Sequence, residues 1–159
     1  MRVRQKGFSL IELLIVVAII LIIAAIAIPN FLRAKISANE SSAVSSVHAI
    51  DTAEITYSTM FTTIGFSAAL SDLGDGGTTP CSVTATTSCF IDRNLASGTK
   101  SGYTFTYVQN TASTPSIRFT VNADPVTAGV TGQRGFFSDE SNVIRAEPIA
   151  PATVNSAPL

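Results

Sequence analysis

The 159-residue chain has no tryptophan, one histidine, two cysteines and two methionines, and only 13% of its residues are charged. Each shortage excludes something. His48 lies far in sequence from Cys81 and Cys89, and no third ligand is suggested, so no metal site is expected. No cofactor is implied, because there is no glycine-rich phosphate loop and no nucleophile motif. On that inventory an enzyme on a membrane anchor is set aside. A formal charge of −1 leaves no basic surplus, so no dedicated nucleic-acid binding is expected. The length suits one domain, or one small domain plus an anchor.

What the chain does have is concentrated at one end. Apolar residues make up 46% of it, and residues 8–28 supply much of that share. Between Phe8 and Ile28 there are 21 residues, and only Ser9 and Glu12 are polar. As a helix such a run reaches about 32 Å, enough to cross a hydrocarbon core of about 30 Å. A lone acid in lipid costs about 2.5–3.5 kcal/mol on insertion scales, so Glu12 needs a reason to be there. Arg2, Arg4 and Lys6 precede the run and favour a cytoplasmic start. A secretory signal peptide would share the basic start and small residues such as Ala24, Ala25 and Ala27. Its apolar core, though, is about 7–15 residues long, and an acid inside it is foreign to the type.

Gly7-Phe8-Ser9-Leu10-Ile11-Glu12, followed by an apolar run that ends at Pro29, closely resembles the N-terminus of type IV prepilins and the related pseudopilins. The resemblance covers that segment and no more. It implies an α+β fold, with a long N-terminal helix, transmembrane and then amphipathic, packed on a small antiparallel sheet. It also implies that a prepilin peptidase cuts between Gly7 and Phe8 and methylates the new Phe8 amine. Glycine suits such a site, having no side chain to exclude. The family reading pairs Glu12 with the Phe8 amine of an adjacent subunit. A cation at a helix N-terminus opposes the macrodipole, and a carboxylate one turn away offsets that cost. Cleavage would take Arg2, Arg4 and Lys6, leaving seven basic side chains against eleven acidic ones. Leu21 stands where many relatives carry glycine.

The function so implied is a structural subunit of a type IV pilus. It would be stored as a single-pass inner-membrane protein, N-terminus in and C-terminus out, and then moved into an extracellular filament. The expected partners are further copies of itself, the peptidase, an inner-membrane assembly platform and membrane lipid. The alternative is a pseudopilin of a type II secretion system. A minor pilin that binds DNA or a surface ligand would need an exposed basic or aromatic patch.

The remaining chain reads as follows. Pro29 costs about 3 kcal/mol in a helix interior, yet the residues after it are helix-competent, so a kink is expected there. From residue 31 to about residue 62, Ile36, Ala43, Val44, Val47, Ile50, Tyr57 and Phe61 recur at helical spacings. Ser37, Asn39, Glu40, Ser41, Ser45 and Ser46 fill the polar side, and His48 and Glu54 read as solvated or capping groups. A short helix is expected at 67–73, stopped by Gly74. Cys81 and Cys89, exported behind an apolar segment into an oxidising compartment, are expected to pair as a loop staple. Asp72 and Asp75 lack the spacing of a calcium loop, and Asp139 and Glu140 read as a turn. Three or four strands follow, as hairpins pairing 103–107 with 117–121 and 133–137 with 142–147. The expected divisions are a leader at 1–7, a transmembrane or filament-core half-helix at 8–28 and an amphipathic half at 29–62. A globular region at 63–147 and a proline-rich tail at 148–159, flexible or draped over the surface, complete them.

Overall fold

The computed structural model describes residues 7–77, 80–148 and 151–159, so residues 1–6 of the expected leader lie outside the described residues. Its longest element is α1, Leu10–Met60, which contains Pro29 and continues beyond it. The chain divides into two compact units, Met1–Lys35 and Ile36–Leu159.

In the second unit α1 buries Ala43, Val47, Ile50, Ala53 and Tyr57, the apolar spacing that the sequence carries. Serine and threonine on its exposed side are weak helix formers because their hydroxyls compete for backbone groups. Here Ser45, Thr52 and Thr56 donate to the carbonyls of Ser41, His48 and Thr52, each at 2.9 Å, inside the helix rather than against it. After α1 come a short 3-10 turn, Leu70–Leu73, ending at Gly74, and a single helical turn, α2, Arg93–Ala96.

The sheet is antiparallel and its six strands lie side by side in chain order. They are β1 Thr99–Lys100, β2 Tyr103–Gln109, β3 Phe119–Pro125, β4 Arg134–Asp139, β5 Arg145–Pro148 and β6 Ala157–Pro158. The long hairpin pairs Tyr103 with Pro125 and Gln109 with Phe119. Its period-two pattern sends Tyr103, Phe105, Phe119, Val121 and Ala123 into one core with Val47, Ile50 and Leu73. Asp139 to Asn142 turns the second hairpin: Asn142 adopts φ 57° and its N–H reaches the Asp139 carbonyl at 2.9 Å. Asparagine is one of the few residues that tolerates that left-handed backbone.

Two expectations change. The sheet has six strands, because β1 and β6 are two residues long and too short to show a period. The tail is not free: Ala157 pairs with Ala146, the Leu159 N–H donates to the Ile144 carbonyl at 2.9 Å, and Ala152 is buried. Pro158 fits there because a proline at a sheet edge withholds no bond that a neighbour needs.

Candidate functional site

In the first unit the helix finds no core of its own. Phe8, Leu10, Ile11, Leu14 and Ile22 are between 61% and 81% exposed. The apolar side chains go all round the helix instead of forming a stripe, which is the pattern of a helix meant for lipid or for a bundle. The most apolar window has a mean hydropathy of 3.3, and α1 is long and apolar enough to cross a membrane.

Gly7, Phe8 and Ser9 precede the helix outside regular secondary structure. The first turn is organised by Glu12, whose Oε2 accepts the Ser9 backbone N–H at 2.9 Å, while the Leu13 N–H reaches the Ser9 carbonyl at 3.3 Å. Counting Ser9 as the cap puts Glu12 at the third helical position, so Ser9-Leu10-Ile11-Glu12 places its acid as a capping box does. The four-residue spacing was visible in the sequence, and it identifies Ser9 as a partner that the sequence reading passed over. One orphan N–H of the helix start is satisfied by the same acid that is anomalous by composition.

In the second unit the structure joins Cys81 and Cys89 in a disulfide. The loop they close also holds an inner turn, with the Thr84 N–H bonded to the Thr87 carbonyl at 2.7 Å. The Tyr57 hydroxyl donates to the Ala85 carbonyl at 2.7 Å, so the staple is hooked to α1.

Three acids lie along the seam between α1 and the sheet, and none was expected to be buried. Glu40, placed with the polar side, is 8% exposed. Its Oε1 accepts backbone N–H groups from Gln133 at 2.9 Å and Arg134 at 3.3 Å, and its Oε2 meets both Arg134 Nε and Nη2 at 2.9 Å. Glu54 is fully buried rather than solvated, and accepts both the backbone N–H of Ser67, at 3.0 Å, and its hydroxyl. Asp51 is 1% exposed; its Oδ2 accepts the Ser138 hydroxyl at 2.7 Å, while its Oδ1 is buried without a partner. Ser46 is buried as well, whereas His48 lies exposed as expected. Burial pushes the Asp51 carboxyl from its ordinary 3.8 up to about 6 against the Ser138 hydrogen bond, and burial likewise raises Glu54. Ser138 meets its acid with no imidazole between them, which is a packing arrangement and not a relay for nucleophilic attack.

The N-terminal segment matches a known family, described as the prokaryotic N-terminal methylation motif, over residues 2–28. The type IV major pilin protein PilA of Myxococcus xanthus is 53% identical over 51 residues, which is 32% of this chain and 23% of that protein. The type IV wide pilus major component PilA4 of Thermus thermophilus is 64% identical over 36 residues, 23% of this chain and 28% of that protein. A fimbrial protein of Pseudomonas aeruginosa is 57% identical over 49 residues, 31% of this chain and 32% of its own length. The chain therefore spans between 23% and 32% of the length of these relatives. Their names describe a major pilin, a pilus component and a fimbrial protein. No solved structure matches at the same stringency.

Proposed function

We propose that this chain, whose N-terminal segment matches the prokaryotic N-terminal methylation motif and is similar there to type IV pilins, is a structural subunit of a type IV pilus. The observation that carries this reading is the first unit of α1: an apolar helix exposed on every side, with one acid in its first turn. Such a helix needs lipid before assembly and neighbouring helices after it. In this reading a peptidase removes residues 1–7 between Gly7 and Phe8, and Phe8 is N-methylated. The mature helix waits in the inner membrane, N-terminus in, until an assembly platform moves it into the filament.

Glu12 then has two successive partners. In the single chain it holds the Ser9 N–H of its own first turn. In the filament it faces the Phe8 amine of an adjacent copy, a charge-assisted contact that the single chain does not offer. Pro29, inside α1, is the point where the helix lacks one N–H and bends most cheaply during that transfer.

The test compares Glu12→Ala with Glu12→Gln in cells that make the pilus. Both variants are expected to insert and to be cleaved, with intact N-methylation by mass spectrometry of the membrane pool. Surface filaments should fall at least tenfold in both, because Gln keeps the cap acceptor but not the charge. Normal filaments from either variant would refute the charge-pairing account.

A further inference from the structure

Asp51 and Glu54 are neighbours one turn apart on α1, and both point into the unit formed by Ile36–Leu159. What faces them is known on every side. From β4 come the Ser138 hydroxyl and, further off, the Asp139 carboxylate; from α1 itself comes His48, exposed at the edge. Glu54 meets the Ser67 hydroxyl and N–H, with Tyr107 of β2 and Asp72 of the 3-10 turn nearby. Among the described residues no lysine or arginine bonds either carboxyl. The Tyr107 hydroxyl also donates to the Ser67 carbonyl at 3.0 Å, tying the same cluster to the sheet.

Two ionised acids there would each be stripped of water and would repel one another, with His48 at the exposed edge beside Asp51 and otherwise only neutral donors as compensation. One oxygen, Asp51 Oδ1, has no donor at all. A protonated carboxyl is far cheaper to bury in such a place than a carboxylate.

We propose that Asp51 and Glu54 make the seam between α1 and the sheet a proton-held joint. Both carboxyls carry protons in the folded unit under mildly acid conditions, and their ionisation as the pH rises towards neutral loosens α1 from the sheet. The inference concerns the folded unit alone and holds whether or not the chain polymerises. A subunit outside the cytoplasm has no buffering cell around it, so such a joint would report the pH of the surroundings directly.

The direction follows from linkage. Asp51 ionises near its ordinary 3.8 in the unfolded chain and near 6 in the folded one, so across that interval the folded state binds more protons. Its contribution is full below about 4 and is lost as pH rises through 6. One proton corresponds to a change of about tenfold per pH unit in the unfolding constant. Glu54, shifted the same way, adds to the slope.

The experiment uses the full chain in detergent micelles. Its three tyrosines, Tyr57, Tyr103 and Tyr107, all lie in the second unit, so the tyrosine band of the near-ultraviolet circular dichroism follows that unit. Denaturant curves between pH 4.5 and 8 should show the unfolding constant rising with pH, steeply up to about 6 and then levelling. Asp51→Asn should lose about one proton's worth of that slope, so that it gains on the wild type at pH 8 relative to pH 5. A merely structural loss would shift the variant equally at every pH. Infrared difference spectra of the wild type with isotopically labelled aspartate should show a protonated aspartic carboxyl at pH 5.5 that is gone at pH 8. A flat or rising stability over pH 4.5–6.5, an unchanged slope in Asp51→Asn, or the absence of that band would each overturn the proposal.

Discussion

Glu40→Ala should be among the most damaging single changes in the second unit, although the residue lies on the helix face that composition marks as polar. Its carboxylate takes two backbone N–H groups from the start of β4 and both nitrogens of the Arg134 fork. Removing it leaves those donors facing a void at the end of the seam. A buried donor left unsatisfied costs about 1–3 kcal/mol, and breaking a buried charge pair about 3–5 kcal/mol. Both figures must be discounted here. The Arg134 side chain is 43% exposed and Gln133 is exposed, so water reaches part of what is lost. About 2–3 kcal/mol is a reasonable sum. At roughly 4 °C per kcal/mol for a unit of this size, the melting midpoint should fall by about 8–12 °C. Glu40→Gln keeps an acceptor for the backbone donors and loses only the charge, so it should cost about half as much. Thermal melts in micelles, followed by the tyrosine signal, measure both. A loss under about 0.5 kcal/mol for the alanine, or equal losses for alanine and glutamine, would show that the clamp contributes little.

Two further substitutions test other joints. Gly65 sits at φ +82°, and a Cβ there would run into the Ser116 backbone, to which Gly65 is bridged; Gly65→Ala should cost about 3 kcal/mol, read as a fall in denaturant midpoint, and an unchanged midpoint would refute the close approach. Deleting residues 151–159 removes the bonds from Asn122 Nδ2 to the Ala152 carbonyl at 2.7 Å, from Arg145 Nη1 to the Ser156 carbonyl at 3.1 Å, and from the Leu159 N–H to Ile144. The unit should still fold but lose about 2 kcal/mol, and full stability after the deletion would mean that the tail merely rests on the sheet.

Much of this structure was legible in the residues, for reasons that differ from place to place. The apolar half of α1 announces itself by composition, since an uninterrupted apolar run of that length is long enough to cross a membrane. The first hairpin is legible because Tyr103–Gln109 and Phe119–Pro125 alternate between more and less buried positions, and alternation has no competing explanation. The buried acids were hidden by a default. Glu40, Ala43, Val47, Ile50, Glu54 and Tyr57 step along α1 by threes and fours, so position alone puts both glutamates on the buried face. Residue type argued for solvent, and the argument failed because the donors that meet Glu40 lie 93 and 94 positions away, and those that meet Glu54 come from Ser67, 13 positions away, where no pattern announces them. The tail was legible only in part: its prolines forbid a central strand, but residue pattern did not show that two residues at an edge need few N–H groups and can pair there.

The two ends of the sheet carry a consequence for the proposed filament, in which the protein would be packed densely beside its own copies. A sheet with a long bare margin invites the next molecule to add a strand, and the addition never needs to stop. Here one margin is Thr99–Lys100 and the other Ala157–Pro158, each two residues long, one bearing a lysine and the other a proline. Neither offers a ladder worth extending. Sheet-to-sheet growth is thereby discouraged at both margins, and the bare apolar helix is left as the adhesive surface through which many copies can join. Ordered polymerisation through one element depends on having closed off disordered polymerisation through the other.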